Sequence, residues 1–183
     1  QEMHPAISPD GTRIAFDSNC SGNIEIYVLD IEDINLSNPH NSFTCSPDDR
    51  LTYSATLGIP SRDPVWSPDG TRIAYQHHSG DNTWKIWVMD ALNGGNKRRL
   101  TNSTGNIAEL EPSWSPDGRQ IAFRVMGCTQ EDELYKANAY QASTATTCEE
   151  MKPQSITNEA PGHDRNPAWS PDGKLIAYAS YIN

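Results

Sequence analysis

Four polar residues, His4, Asp63, Glu111 and Asn166, each stand immediately before a proline that opens a twelve-residue repeat. All four carry nitrogen or oxygen atoms able to bind a cation or join a hydrogen bond. Glu109, His163 and Asp164 lie in the segments that lead into the same repeats. Oxygen donors converging on one axis would suit Ca2+, with Asp63 and Glu111 as the metal candidates. The same groups would meet a basic segment of a protein or peptide partner, or simply form a hydrated polar funnel. The sequence leaves these three readings open.

Other chemistry is sparse. No Gly-x-Ser-x-Gly elbow, phosphate loop, dinucleotide fingerprint or His-Glu-x-x-His pattern occurs. No catalytic residue and no cofactor is therefore assigned. His77 and His78 are neighbours, and in an extended segment they face opposite sides, so joint metal binding is not expected. His40 falls in a long insertion, where a solvated role is expected. An aspartate also recurs inside each repeat, as Asp10, Asp69, Asp117 and Asp172. Aspartate in a tight turn bonds nearby backbone amides, so these four are expected to be structural.

The elements that position these residues follow from the repeats. Residues 5–16, 64–75, 112–123 and 167–178 align without gaps: Pro, two further residues, Ser-Pro-Asp-Gly, two variable residues, then Ile-Ala-aromatic. The third position is Ile7 in the first copy and Trp66, Trp114 and Trp169 in the others. Ser-Pro-Asp-Gly is turn chemistry, with Pro fixing φ and Gly free to take the left-handed conformation. Short flanking segments rich in Ile, Ala and aromatic residues read as hairpin strands. First strands are expected at 5–8 and its equivalents, and second strands at 13–17 and its equivalents. Third strands fit Glu25–Asp30, 85–90 and Glu133–Asn138, and fourth strands fit 50–52, 99–101 and 155–157. The Ser46-Pro47-Asp48-Asp49 segment lies too close to Ser67 for another unit and reads as a turn within the first.

Successive repeats start 59, 48 and 55 residues apart. A four-stranded propeller blade needs about 40–50 residues, so each step is one blade plus loop insertions. The chain is therefore read as all-β, a β-propeller portion of three complete four-stranded blades and half of a fourth. The expected bounds are 4–62, 63–110, 111–165 and 166–183. In a propeller the first strand is innermost, which would place His4, Asp63, Glu111 and Asn166 around the mouth of the central channel. The three tryptophans are expected to pack between blades.

The pattern Pro-x-Trp-Ser-Pro-Asp-Gly-x-x-Ile-Ala-Tyr, followed by a segment such as Gly22-Asn23-Ile24-Glu25-Ile26-Tyr27-Val28-Leu29-Asp30, resembles the WD-like repeats of TolB-type β-propellers. Lys85-Ile86-Trp87-Val88-Met89-Asp90 and Arg98-Arg99-Leu100-Thr101-Asn102 are similar to the third strand and blade ending of that family. The third unit departs most, with a weak third strand around Leu134-Tyr135-Lys136. The resemblance implies a fold, not a single activity. The family uses the same blade in binding proteins and as the non-catalytic domain of peptidases.

Charge and cysteines bound the setting. The 183 residues carry a formal charge of −10, which argues against a nucleic-acid backbone as partner. Lys97-Arg98-Arg99 is too short a basic cluster to change that. Leu, Ile, Val and Phe number only 30, a composition that leans toward disorder until the repeats overrule it. No apolar run approaches the roughly 20 residues of a membrane helix. No leader is recognisable, and a start at Gln1 is compatible with one already removed. Cys20 and Cys128 follow the second strands of units one and three, while Cys45 and Cys148 precede the fourth strands of the same units. Pairs Cys20–Cys45 and Cys128–Cys148 would staple the two longest insertions and imply a periplasmic or extracellular location. Buried free thiols are the alternative.

Propellers of roughly four to eight blades close by bringing the first and last together, which three and a half cannot do unaided. The expectation is a piece of a longer chain, or a ring completed by a second polypeptide. The functional expectation is a non-catalytic protein-binding or scaffold module. Its alternative is the propeller domain of a larger secreted hydrolase or multi-domain enzyme whose catalytic part lies elsewhere.

Overall fold

Every Ser-Pro-Asp-Gly segment closes a β-hairpin by one set of bonds. In the first, the Ser8 hydroxyl donates to Asp10 Oδ1 at 2.5 Å and accepts the Arg13 N–H at 2.9 Å. Asp10 Oδ1 also accepts the Thr12 N–H at 3.1 Å. The same pattern repeats at Ser67–Asp69, Ser115–Asp117 and Ser170–Asp172. The fourth turn residue is left-handed in all copies, with φ of 73° at Gly11 and 68–70° at Gly70, Gly118 and Gly173. Glycine takes that conformation without the steric cost of a side chain.

The structure, a computed structural model, describes residues 2–34, 46–54, 58–78, 80, 83–157 and 162–181. Cys45 and His40 lie outside them. Four antiparallel sheets follow one another along the chain. The first holds β1 (Glu2–Ile7), β2 (Arg13–Ser18) and β3 (Glu25–Asp30). The second holds β4 (Ser61–Trp66), β5 (Arg72–His78), β6 (Trp84–Asp90) and β7 (Arg98–Arg99). The third holds β8 (Ala108–Trp114), β9 (Gln120–Met126) and β10 (Glu133–Asn138), and the fourth β11 (His163–Trp169) and β12 (Ile176–Tyr181). One short helix, α1 (Cys148–Met151), is held by a Thr147–Glu150 capping box. Ser46 caps a single 3-10 turn over Pro47–Asp49.

The outer edge of each unit is shorter than the sequence suggests. Among the described residues only β7 forms a strand there, whereas units one and three have single bridges, Tyr27 to Arg50 and Tyr135 to Ser155. A shared pair of bonds replaces the longer ladder. Leu51, Leu100 and Ile156 donate backbone N–H to Ile26, Ile86 and Leu134, at 2.7–2.8 Å. The next residue, Thr52, Thr101 or Thr157, returns a hydroxyl that accepts the partner's N–H at 2.8–3.0 Å. An apolar residue followed by threonine thus secures the edge with one ladder bond and one side-chain bond. First strands are correspondingly longer than expected, because they continue past the repeat proline to Glu2, Ser61, Ala108 and His163.

The sheets pack face to face in sequence order. One core gathers Ala15, Ile26, Trp66, Ile73 and Tyr75 between the first two sheets. A second gathers Ile86, Trp114, Ile121, Phe123 and Tyr135 between the second and third. Ile26, Ile73, Ile86 and Ile121 are fully buried, and such burial contributes about 1.5–3 kcal/mol per side chain. Trp66 Nε1 donates to the Ala6 carbonyl at 2.9 Å, and Trp114 Nε1 to the Val65 carbonyl at 3.2 Å. Each indole thus ties its sheet to the preceding one. At the two ends Ile7, Leu175, Tyr178 and Tyr181 are exposed.

Candidate functional site

The residues before the four repeat prolines share a backbone state. His4, Asp63, Glu111 and Asn166 have φ of 48°, 57°, 56° and 53°. Each sits in a β-bulge, where the register between first and second strands shifts. Non-glycine residues adopt this region rarely, with His, Asp and Asn enriched, and each instance costs of order 1–3 kcal/mol. Strand pairing on both sides of the bulge holds the conformation, and for Asp63, Glu111 and Asn166 so does the preceding unit.

That second restraint is a hydrogen bond to the left-handed residue's own N–H. Asp63 N–H donates to Asp17 Oδ1 at 3.2 Å, and Glu111 N–H donates to Gln76 Oε1 at 3.2 Å. Asp17 and Gln76 directly follow the second-strand aromatics Phe16 and Tyr75. The equivalent residue in the third unit is Arg124, which can only donate. The acceptor there is Glu111 itself. Its Oε1 accepts from Arg124 Nη1 at 2.9 Å, and its Oε2 accepts the Asn166 N–H at 2.7 Å.

Charge gathers around these bonds. His4 Nδ1 is 2.7 Å from the buried Asp17 Oδ1. Burial pushes the Asp63 carboxyl above its ordinary value; His4 pulls the other way, while the Glu111 and Asp17 charges add to the rise. Asp132 Oδ2 meets Arg124 Nη2 at 2.6 Å, Arg165 Nη2 at 3.2 Å and His163 Nδ1 at 3.4 Å. His4 and Asp63 thus meet through Asp17, while Glu111 and Asn166 belong to a second group that reaches His163 through Arg124 and Asp132.

Two expected members stand apart. Glu109 and Asp164 are fully buried and are not offered to a partner from solution, a correction to their reading as residues of an open mouth. Glu109 Oε2 lies 3.0 Å from Lys85 Nζ, with both side chains inaccessible, and Lys85 also donates to the Ile107 carbonyl. Burial pushes the Glu109 carboxyl up and Lys85 opposes it. Lys85 was missed in the sequence. The signal was an inverted charge, since its equivalents in β3 and β10 are Glu25 and Glu133.

Among the described residues no group of three or more His, Cys, Asp or Glu side chains is placed to hold a metal ion. The Ca2+ reading of Asp63 and Glu111 therefore has no ligand set there. His77 bonds Ser61 at 2.9 Å and packs edge-on to Trp87, whereas His78 packs against Trp84. Lys97, Arg98 and Arg99 donate to the carbonyls of Gly94, Ala139, Thr101 and Ser103. The basic cluster is spent within the protein. Cys128 and Cys148 form a disulfide with Cα atoms 5.3 Å apart. Cys20 is also disulfide-bonded, while Cys45 lies outside the described residues.

No family model matches the chain, and none of the curated proteins does. Solved structures do match. A candidate TolB from Agrobacterium tumefaciens superposes over 98% of this chain with a TM-score of 0.69 and 24% identity. TolB from Acinetobacter baumannii covers 100% of it, again at TM-score 0.69, with 21% identity. The fold is TolB-like. Oligogalacturonate lyase from Vibrio parahaemolyticus matches 97% of the chain at TM-score 0.63 and 13% identity. The chain spans 54%, 38% and 45% of these three structures, about half their length or less. In this TolB-like setting the four left-handed residues recur at one place in successive sheets.

Proposed function

We propose that the chain is part of a non-catalytic TolB-like propeller that acts outside the cytoplasm and holds a basic segment of a protein partner. The observation that carries the reading is the recurring set of left-handed residues. His4, Asp63, Glu111 and Asn166 recur at one position of successive sheets, and the last three are also held by a bond from the preceding sheet. Rigid placement lowers the ordering cost of binding. The formal charge of −10 favours a cationic partner, and attraction of that kind raises association rates. The Cys128–Cys148 disulfide supports an oxidising compartment. Further blades of a parent chain, or a second polypeptide, would cover the exposed Ile7 and Leu175 at the two ends.

A second reading has its own support. The likeness to an oligogalacturonate lyase agrees with a propeller domain inside a larger enzyme whose reacting groups lie elsewhere. A panel of Lys/Arg-rich and Asp/Glu-rich peptides, titrated by calorimetry at low and physiological salt, tests the first reading. Saturable binding of basic peptides that weakens with salt and with Asp63→Asn is expected. Binding that ignores peptide charge would contradict it. Asp63→Asn suits the test because asparagine also tolerates the left-handed backbone.

A further inference from the structure

Away from the left-handed residues, a cavity of about 490 Å3 lies beneath the segment that follows β10. Phe123, Tyr135 and Met151 line it, together with the amide side chains of Gln120, Gln141 and Gln154. Its size is that of an ordinary small-molecule pocket, typically about 300–1,000 Å3. We propose that this cavity binds a neutral, hydroxyl-rich molecule of the size of a mono- or disaccharide.

Two features select that chemistry. First, the cavity's charges cancel. Glu109 is matched by Lys85 at 3.0 Å, and Lys136 and Glu150 supply one charge of each sign. With no net charge in its lining, the cavity has no surplus charge to offset the desolvation of a charged ligand. Second, the three glutamines are not committed to side-chain hydrogen bonds among the described residues. Each amide can donate and accept at once, which matches a hydroxyl that does the same.

The roof is stapled. Cys148 begins α1 and is bonded to Cys128, just past β9, while Glu150 and Met151 of the same helix line the cavity. The disulfide therefore fixes one wall against the other. This inference does not rest on the peptide-binding reading, because it uses other residues and another class of ligand.

The test uses the oxidised chain and a panel of glucose, galactose, maltose and cellobiose, with glucuronate and glucosamine as charged controls. Titrations followed by amide chemical shifts are expected to show saturable binding of at least one neutral sugar. The shifts should centre on Gln120, Gln141 and Gln154. Both charged controls should bind at least tenfold more weakly. Gln120→Leu with Gln141→Leu should weaken the neutral sugar at least tenfold without moving Tm, since Gln141 is exposed and Gln120 only half-buried. No neutral sugar binding, equal or tighter binding of a charged control, or affinity unchanged in the double variant would each overturn the proposal.

Discussion

Glu111 accepts the backbone N–H of Asn166 at 2.7 Å, bridging two successive sheets, and Arg124 holds it in place from its other oxygen. The bond stands where the earlier units use Asp17 and Gln76, so a change at one position of β9 is compensated from β8. Removing either end should therefore be felt in the fold as well as at the surface.

Arg124→Ala should destabilise the chain by about 2–3 kcal/mol, because Glu111 and Asp132 both lose a charged donor while largely shielded from water. Urea unfolding measures this directly. A loss below about 0.5 kcal/mol, the scale of an ordinary surface change, would show that the network contributes little.

Lys85→Met should cost more, about 3–5 kcal/mol, since it leaves the fully buried Glu109 without its counter-charge. Combining it with Glu109→Gln should recover most of that loss. A double variant as unstable as the single one would mean that packing, not charge, dominates the site.

Cys128→Ser should lower stability by about 3 kcal/mol, the entropy expected for a loop of this length, 20 residues. Denaturation of the variant beside the oxidised parent checks it. Non-reducing peptide mapping should recover Cys128 with Cys148, and Cys20 is expected with Cys45.

Acid should unfold the chain through its turns. The Ser8 hydroxyl, then the Thr12 N–H and hydroxyl, hold the Asp10 carboxyl down at about 2. Asp69, Asp117 and Asp172 are lowered by the equivalent serines. A carboxylate whose folded value lies below its unfolded value, about 3.9, stabilises above that value. The contribution disappears as pH falls through the folded value. Asp63 and Glu109 have the opposite sign, since burial raises them and their protonation favours the folded state. Tm should therefore fall between about pH 4 and pH 2, and Asp10→Asn should flatten that limb. An acid limb unchanged in Asp10→Asn would remove the turns as its cause.

The turns and strands are legible in the sequence because their chemistry is local. The Ser and Asp of each repeat bond one another and groups within the next few residues. The polar positions before the prolines are legible too, but not their conformation, which for Asp63, Glu111 and Asn166 depends on acceptors in the preceding unit. Three of the four types there, His, Asp and Asn, are those that favour a left-handed backbone, a clue carried by composition alone. Glu109 and Asp164 read as loop acids because nothing within their own repeat reveals that the neighbouring sheet closes over them. The outer edges came out shorter than their sequence match implied, because one threonine hydroxyl takes the place of a ladder bond in each unit.

The central claim is that partner binding occurs at the left-handed residues, and amide chemical shifts during titration with a basic peptide locate it most directly. The account predicts that shifts centre on His4, Asp63, Glu111 and Asn166, and that Asp63→Asn weakens binding while Tm stays within about 2 °C of the parent, as for an ordinary surface change. Shifts confined to β12 or to the segment after β10, with those four residues unmoved, would contradict it.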